Sequence, residues 1–372
     1  MNVLHVYKTY FPDSFGGVPE AIRQLANGTG KHGVNSEVFT ISPQVREQRF
    51  AFEKHHVIQA SSNFEIFSTP FSIDAVSKFK IYSKKFDLIH YHYPYPFGDV
   101  LKLLGANRKP SIVTYHSDIV RQRISKIAYA PVQTLFLNSV DRIICTSPSY
   151  AKSSRVLKRY QDKVDIIPLG LENSDKKHAM TSEMKVLKAD LPDSYFLFLG
   201  VLRNYKGVDT LVRAMKGVDK KIIIAGGGPE LGRMKTLAQR LKADNIIFLG
   251  PVNEAQKALL LDGCYGLVLP SHLRSEAFGL VLLEAAMRGK PLISTELGTG
   301  TSYANKHNET GLVVPPKDVR ALQDALDFLS NNPGKVRQMG EAAKQRYDRL
   351  FTAELMCSRY AEIYKDVLTG CK

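Results

Sequence analysis

Short runs of β-branched and apolar residues recur along the whole chain of 372 residues, and helix-like segments separate several of them. Such strand and helix alternation predicts parallel sheets, because each return to the same sheet needs a crossover connection. The runs fall into two successive series, so we expect an α/β fold with two Rossmann-like halves. The first series covers residues 3–6, 36–40, 87–90, 111–114, 141–146 and 164–167. The second covers residues 195–199, 221–225, 245–249, 266–269, 291–294 and 311–314.

The two series are separated by a polar, turn-rich stretch at residues 168–177. Composition of this kind marks domain boundaries, and a chain of this length supplies two cores of ordinary size. We therefore predict an N-terminal domain at residues 1–170 and a second domain at residues 171–352, followed by a C-terminal helix.

The chain is strongly basic, with 51 Lys and Arg against 36 Asp and Glu and a formal net charge of +15. This balance suggests a phosphorylated substrate, an anionic membrane face or another polyanion. A nucleic-acid-binding protein is the competing interpretation, but zinc-ligand spacing and RNA-binding aromatic motifs are missing from the sequence, so we expect no nucleic-acid partner.

Cysteine usage and the N-terminus indicate the compartment. The four cysteines show no pair spacing for zinc or redox chemistry, which favours reduced thiols in a cytosolic protein. The first residues read as a strand rather than as a signal peptide, and no apolar run approaches the roughly 20 residues that span a bilayer. We expect at most peripheral membrane contact. The cysteines are Cys145, Cys264, Cys357 and Cys371.

Loops that follow strands should carry the chemistry, because ligands of open α/β sheets lie outside the carboxyl ends of the strands. Gly16 and Gly17 precede a helix, where backbone amides can approach a phosphate or sugar, although an ordinary strand-to-helix turn has the same composition. His116 and Asp118 follow a strand directly. The imidazole suits a sugar hydroxyl or a structural cap, and Asp118 suits an acceptor contact or an N-cap.

In the second domain, the loop after the first predicted strand carries two cations. Arg203 and Lys206 follow its first strand, and two cations in one loop are suited to neutralising a diphosphate, although solvated surface charges look the same. The glycine run at residues 226–228 reads as a tight turn into a helix.

The segment 270–284 combines a proline-terminated strand, a loop and a predicted helix over residues 278–287. The unpaired N–H groups at the predicted helix start, in residues 278–281, would face a phosphate. Glu276 and Glu284 are eight residues apart, which predicts that both lie on one side of the helix, one meeting a sugar and the other a ribose. A first-turn acid and a solvated helix residue are the equally compatible alternative.

This arrangement of Ser275, Glu276, Ala277, Phe278 and Gly279 followed by a second acid resembles the C-terminal signature of the retaining glycosyltransferases of family 4. The resemblance implies the GT-B fold, in which two Rossmann-like domains face each other across a cleft. It extends along nearly the whole chain and includes a Gly-Gly-x-x-Glu loop near the N-terminus. It also implies that the helix at residues 353–372 packs back on the N-terminal, acceptor-side domain.

The same resemblance assigns the site. His116 would contact the donor sugar and Glu276 would orient it, and both are the catalytic candidates, while Asp118 is the candidate acceptor contact. Many family members carry an arginine immediately after the glycine at position 200, where this chain has Val201, so the match at Arg203 is indirect. The donor-binding candidates are Gly16, Gly17, Arg203, Lys206, Val252, Ala277, Phe278, Gly279, Leu280 and Glu284.

An Asp-x-Asp triplet, which commonly holds a metal on a nucleotide-sugar diphosphate, does not occur in the sequence. We therefore expect a metal-independent enzyme that requires no cofactor besides its nucleotide-sugar donor. Lys206 and Arg203 would supply the positive field instead.

The implied reaction transfers a hexose with retention of the anomeric configuration, the leaving phosphate taking the acceptor's proton. The motifs are similar to those of bacterial O-antigen mannosyltransferases, which favours mannose from GDP-mannose. GDP-rhamnose, UDP-glucose and UDP-N-acetylglucosamine remain open as donors, and a GT-B epimerase or phosphorylase remains open as an activity.

The expected acceptor is a polyprenyl-diphosphate-linked saccharide at the inner face of the cytoplasmic membrane. Residues 78–86 and 121–126 mix cations with apolar residues and suit an anionic lipid surface, although ordinary solvated surface is an equal alternative for each.

Overall fold

A computed structural model describes residues 1–45, 47–66, 69–105, 109–119, 123–173 and 181–370, without the side chains of residues 66, 69 and 123–128. The chain forms two compact units. Unit 1 comprises Met1–Glu172 together with Thr352–Lys372, and unit 2 comprises Asn173–Phe351. The chain thus leaves unit 1 after residue 172 and returns after residue 351, whereas the sequence predicts changes after residues 170 and 352.

Unit 1 is an α/β unit in which strands and helices mostly alternate. Its strands are β1 (Asn2–Val6), β2 (Asn35–Ser42), β3 (Arg49–Phe52), β4 (His55–Ser61), β5 (Phe64–Ile66), β6 (Thr69–Phe71), β7 (Leu88–Tyr93), β8 (Ser111–Tyr115), β9 (Arg142–Cys145) and β10 (Val164–Ile166). Its first helices are α1 (Gly17–Gly28), α2 (Ile73–Tyr82), α3 (Pro96–Leu104), α4 (Arg123–Ser139) and α5 (Pro148–Ser153).

Within the described residues, eight strands of unit 1 form one sheet in the order β10-β9-β8-β7-β1-β2-β4-β3. Only the edge pair β3 and β4 is antiparallel. Strands β7 and β8 are buried along their whole length, as expected of central parallel strands covered on both faces. The six predicted strands of this half are present at β1, β2, β7, β8, β9 and β10, whereas β3 to β6 were not predicted.

Unit 2 is a second parallel α/β unit. Its strands are β11 (Tyr195–Leu199), β12 (Lys221–Ala225), β13 (Ile246–Gly250), β14 (Gly266–Leu269), β15 (Leu292–Thr295) and β16 (Gly311–Val314). Its helices are α6 (Ser182–Asp190), α7 (Val208–Ala214), α8 (Leu231–Leu241), α9 (Glu254–Gly263), α10 (Leu280–Ala286), α11 (Thr301–Ala304), α12 (Val319–Asn331) and α13 (Pro333–Leu350). All six strands coincide with predicted ones to within about one residue.

The sheet of unit 2 runs in the order β13-β12-β11-β14-β15-β16 and all its pairs are parallel. Strand β11 therefore has β12 on one side and β14 on the other, and the direction of winding reverses between β11 and β14. In doubly wound sheets, ligands bind at the carboxyl ends of the two strands where this reversal occurs. The core beside this sheet includes Phe196, Phe198, Leu211, Ile224, Val268 and Leu326.

The C-terminal helix α14 (Ala353–Thr369) belongs to unit 1 and packs against α1. Leu171 pairs with Thr352 in a parallel bridge, and the Ala353 N–H donates to the Leu171 carbonyl over 2.9 Å. A Cβ on Gly170 would lie 2.3 Å from the Thr352 carbonyl oxygen, so the two chain segments approach more closely than a side chain allows. The buried Tyr360 hydroxyl anchors the helix further by bonding to a threonine of β8.

Across the described parts of the chain, no helix combines the length and apolarity needed to cross a membrane. Cys145, Cys264 and Cys357 are buried free thiols, as the sequence suggests, and Cys371 lies outside the described residues. Burial raises the pKa of Cys145 to about 11 and that of Cys264 and Cys357 to about 12.

Asp99 is a buried carboxyl group in the first turn of α3, and it accepts a hydrogen bond from the Tyr129 hydroxyl. Burial raises the pKa of Asp99 well above its usual value of 3.8, so this carboxyl group binds its proton more tightly in the folded protein than in the unfolded chain. The stability from this group is fully present below the unfolded pKa and is lost as the pH rises toward the folded pKa.

We predict that Asp99→Asn, which keeps the acceptor for Tyr129 and carries no charge, becomes more stable relative to the native protein as the pH rises. The gain is at most about 1.4 kcal/mol per pH unit above the unfolded pKa. Thermal unfolding midpoints between about pH 5 and about pH 8 measure it. The exposed Asp162→Asn is the control, and parallel pH curves for Asp99→Asn and the native protein would refute the assignment.

Candidate active site

A lysine and a glutamate meet at the carboxyl ends of β11 and β14, where the winding of the unit 2 sheet reverses. The Lys206 ammonium lies 2.5 Å from Oε2 of Glu276, and the two side chains are 13% and 10% exposed. The Ser271 hydroxyl donates to the same carboxylate oxygen over 3.0 Å. Sequence reasoning selected both charged residues but not their direct contact, and it missed Ser271.

The two loops that carry this pair are joined by backbone contacts. The His272 N–H donates to the Tyr205 carbonyl over 2.9 Å. Gly207 follows Lys206 with φ of 68°, and a Cβ there would lie 2.0 Å from the Pro270 carbonyl oxygen. Only glycine fits both the left-handed backbone and this close approach. The contact therefore fixes the position of Lys206 relative to the loop that holds Glu276.

The other flank of the Glu276 loop is held by the loop after β15. The Thr299 hydroxyl donates to the Glu276 carbonyl over 2.9 Å, and the Gly300 N–H donates to the Ala277 carbonyl over 2.7 Å. The Arg274 guanidinium donates to the carbonyls of residues 297 and 298. Three neighbouring strand ends thus hold Glu276 in one place. Thr299 was not predicted, because a threonine in a polar loop carries no distinguishing pattern.

The electrostatic balance of the pair leaves Lys206 charged. Burial by itself lowers the pKa of the Lys206 ammonium, but the charge of Glu276, the Tyr205 hydroxyl and the hydrogen bond to Glu276 together outweigh burial, so its pKa is raised. The ammonium has three N–H donors, and the contact with Glu276 uses one of them. A protonated Lys206, paired with the Glu276 carboxylate, is therefore held at the sheet end, with N–H donors that this contact does not use.

One local prediction at this site is wrong. Helix α10 begins at Leu280 with Gly279 as its N-cap, so Glu276, Ala277 and Phe278 lie in the preceding loop. Gly279 has φ of 79°, a left-handed conformation that ends the loop sharply before the helix. The two acids consequently do not share one helix face, and the 3.6-residue spacing does not relate them.

Glu284, unlike Glu276, does lie on α10. Its carboxylate is 2.9 Å from the ammonium of Lys257, a residue of α9. Burial lowers and Glu284 raises the pKa of Lys257, with a net increase. Each acid therefore has its own lysine, and Glu284 with Lys257 forms a second ion pair beside α10.

The remaining predicted donor-binding residues of unit 2 lie in loops at the carboxyl ends of their strands. Arg203 is exposed and caps the short 3₁₀ turn Asn204–Lys206. Val252 is half-buried after β13, the edge strand of the sheet. A Cβ on Gly227 would lie 3.0 Å from Pro251, so the glycine run after β12 packs closely against the loop that carries Val252.

Gly16 and Gly17 of unit 1 are exposed at the start of α1, after β1. Strand β1 lies between β7 and β2, so the winding of this sheet reverses between β1 and β7. The glycine loop therefore occupies the carboxyl end of a strand at the reversal, the counterpart of the Lys206 loop in unit 2.

Asp118 is half-buried and bonded within unit 1. Its Oδ1 accepts hydrogen bonds from the hydroxyls of Tyr115 and Ser154, each over 2.8 Å, and its N–H donates to Tyr150. Helix α4 begins at Arg123, so Asp118 is not the N-cap of that helix. Val120, Arg121 and Gln122 of this region lie outside the described residues.

His116 follows β8 directly, is 4% exposed, and is joined to other buried histidines. Its Nε2 lies 3.1 Å from Nδ1 of His92, and Nε2 of His92 lies 3.1 Å from Nδ1 of His5. Sequence reasoning missed His5 and His92. The His-x-His pattern at positions 90 and 92, within an otherwise apolar strand, was the available indication.

Among the described residues, His5, His90 and His92 offer ring nitrogens within 4.8 Å of one another. All three rings already take part in hydrogen bonds. His90 bonds to Tyr364 and Thr114 at 2.7 Å, and His5 and His92 bond to each other. The residues thus form hydrogen-bond networks, and a metal at this position would have to break them.

Two family models match consecutive parts of the chain. The model described as Glycosyltransferase Family 4 matches residues 15–174, and the model described as Glycosyl transferases group 1 matches residues 180–346. The two matched ranges correspond closely to unit 1 without its C-terminal helix and to unit 2.

Full-length relatives agree with the family models. The O-antigen chain mannosyltransferase C of Escherichia coli is 43% identical over 368 residues, covering 99% of this chain and 99% of that protein. The D-rhamnosyltransferase WbpZ of Pseudomonas aeruginosa is 42% identical over 353 residues, covering 95% of this chain and 93% of that protein.

Solved structures share the fold at low sequence identity. The sucrose-phosphate synthase from Thermosynechococcus elongatus superposes with a TM-score of 0.82 at 22% identity and covers 99% of both chains. The HepE protein of Anabaena in complex with UDP and glucose superposes with a TM-score of 0.77 at 17% identity, covering 98% of this chain and 100% of that chain. The chain therefore belongs to the family 4 glycosyltransferases of group 1 and has the GT-B fold.

Proposed function

We propose that this glycosyltransferase transfers a mannose residue from GDP-mannose, with retention of configuration, to a lipid-linked saccharide during O-antigen synthesis. The proposal is supported by the two relatives above 40% identity, one named as an O-antigen chain mannosyltransferase and the other as a D-rhamnosyltransferase. The second name makes GDP-rhamnose the alternative donor. The observation that carries the chemistry is the buried contact of Lys206 with Glu276.

The chemical demand of the reaction is the charge that develops on the leaving diphosphate. A fixed ammonium in a largely buried site stabilises such charge without rearranging, and one well-placed donor contributes about 3 kcal/mol. Lys206 has this property, and the exposed Arg203 of the same loop supplies a second cation. We infer that these two cations replace a divalent metal, in keeping with the lack of an Asp-x-Asp triplet in the sequence.

We propose a role for each of the other predicted donor-binding residues. Glu276 is held by three strand ends and would orient the sugar, while Glu284 would meet the ribose and Val252 the base. In unit 1, His116 would meet the sugar, and the exposed backbone of Gly16 and Gly17 leaves room for a ligand to approach. The backbone of Ala277, Phe278, Gly279 and Leu280 would line the phosphates.

We predict that neutralising either member of the pair with a variant of similar shape, Lys206→Met or Glu276→Gln, lowers turnover at least roughly tenfold. Lys206→Met leaves a buried carboxylate unpaired and destabilises the unit, so the double variant Lys206→Met/Glu276→Gln is measured beside it. The control is Lys344→Met, which breaks a surface pair with Asp348. Near-native kinetics in either single variant would remove the pair from the mechanism.

The donor is tested by ligand-induced stabilisation. Binding to the folded state raises the apparent stability, so GDP and GDP-mannose are expected to raise the unfolding midpoint in the presence of EDTA. UDP and UDP-glucose serve as the comparison ligands. Stabilisation by the UDP ligands alone would contradict GDP-mannose as the donor. A requirement for a divalent ion would contradict the proposed role of Lys206 and Arg203.

We further propose that the protein binds the inner face of the cytoplasmic membrane, where a polyprenyl-diphosphate-linked acceptor is embedded. The segment around α2 supports this, because Ile73 and Ile81 of α2 are 78% and 59% exposed, Lys80 of the same helix is exposed, and the exposed Lys84 lies just after the helix. Apolar side chains among cations are typical of helices that dock on anionic lipid. Of the second predicted basic segment, residues 121–126, no side chain belongs to the described part of the chain.

We predict that Ile73→Glu/Ile81→Glu abolishes cosedimentation with anionic vesicles at low salt, because it removes the apolar contact and adds negative charge. The control is Val186→Glu, a residue of α6 that is 62% exposed. Cosedimentation of the double variant at the native level would show that this segment does not carry membrane binding.

A further inference from the structure

A line of hydrogen bonds crosses the interior of unit 1 and ends at His116. It runs from Ser36 Oγ to His5 Nε2 over 3.3 Å, from His5 Nδ1 to His92 Nε2 over 3.1 Å, and from His92 Nδ1 to His116 Nε2 over 3.1 Å. All four residues are at most 4% exposed. The line therefore lies away from bulk solvent along its whole length.

Each histidine of the line carries a single ring proton at neutral pH. Burial lowers the pKa of His5 and of His116 to about 3, and it lowers that of His92 well below 6.5. The neighbouring His90 and His55 are also held neutral, since burial lowers their pKa values as well. A neutral imidazole donates from one nitrogen and accepts at the other, so the line has a direction.

The far end of the line fixes that direction. The Thr29 hydroxyl lies 2.8 Å from the Leu25 carbonyl oxygen, which can only accept, so Thr29 donates its single proton there. Thr29 Oγ1 also lies 3.2 Å from Ser36 Oγ, and Ser36 must therefore supply the proton of that bond. Having donated to Thr29, Ser36 can only accept from His5.

The direction then passes along the three rings. His5 donates from Nε2 to Ser36, so its Nδ1 accepts from Nε2 of His92. The Nδ1 of His92 in turn accepts from Nε2 of His116. The opposite direction would leave two lone pairs facing each other at Thr29, at the cost of a buried hydrogen bond. His116 is thereby the Nε2–H tautomer, and its Nδ1 carries a lone pair.

No hydrogen bond to Nδ1 of His116 is formed by the residues that the structure describes, so this atom is the end of the line. We propose that Thr29, Ser36, His5 and His92 are positioning residues that fix His116 as a hydrogen-bond acceptor for a hydroxyl group of the sugar substrate. The proposal rests on the proposed function for the contact between His116 and the sugar, but the tautomer itself does not. A substrate atom that lacks a proton, such as a fluorine in place of that hydroxyl, would find no partner there.

The test reverses the direction of the hydrogen bonds by a substitution at Thr29, the end of the line opposite His116. In Thr29→Val the Ser36 hydroxyl loses its acceptor and is free to donate to His5 Nε2. Each histidine of the line then carries its proton on Nδ1 instead of Nε2, so His116 becomes the Nδ1–H tautomer. Nitrogen-15 NMR of histidine-labelled protein reads the tautomer directly, with His116→Gln identifying the signal. We expect Nε2–H in the native protein, Nδ1–H in Thr29→Val, and a roughly fivefold loss in kcat/KM with the donor.

Thr40→Val is the matched control, because Thr40 is a buried threonine of the same sheet whose hydroxyl has no partner among the described residues. It should change neither the tautomer nor the kinetics. A second variant, Ser36→Ala, removes the acceptor of His5 and should give a mixture of His116 tautomers. Its control is Ser111→Ala, since the buried Ser111 hydroxyl also lacks a partner in the described structure.

A native His116 in the Nδ1–H form, or an unchanged Nε2–H form in both Thr29→Val and Ser36→Ala, would overturn the proposal. These readouts need no substrate. If the native protein binds or transfers no mannosyl donor while the tautomer responds as expected, the donor assignment fails and the ordering of the histidines stands.

Discussion

Both units depend on one constraint, the reversal of winding beside a central strand. In unit 1 the central strand β1 has β7 and β2 as neighbours, and in unit 2 the central strand β11 has β14 and β12. Where the winding reverses, the connections that leave two adjacent strands pass to opposite faces of the sheet, and space remains at the carboxyl ends. The glycine loop after β1 and the loops of Lys206 and Glu276 occupy these positions. In both units the strand order thus determines where these loops lie.

The Lys206 and Glu276 pair shows how the backbone prepares an electrostatic site. A salt bridge between mobile surface side chains contributes little, since both chains lose freedom on pairing. Here the loops are joined by the His272 N–H bond and by the close approach of Gly207 to Pro270, so the loop backbones are already positioned. A charge held in this way stabilises a developing anion without reorganisation.

The sequence predicts the parallel strands of both units well, because buried strands are continuous apolar runs that few other elements produce. It does not predict β3, which pairs antiparallel with β4 at the sheet edge, or β4, which pairs parallel with β2 but has only a short apolar run among polar residues. Glu276 was selected by family resemblance, but its position in a loop depends on the left-handed Gly279, which helical composition does not reveal. The histidine line was missed for a different reason. Its members come from β1, β7 and the end of β8, and only the sheet order brings them together.

The pairing of Leu171 with Thr352 has a consequence for the modular organisation of the chain. The segment 173–351 departs from and rejoins unit 1 at adjacent residues, so unit 2 is a continuous insertion between two points that are already in contact. A short loop joining those points would close unit 1 without rerouting its chain. Insertions with this property are tolerated in domains whose attachment points lie close together at the surface. The polypeptide thus consists of one continuous domain, unit 2, inserted into another, unit 1.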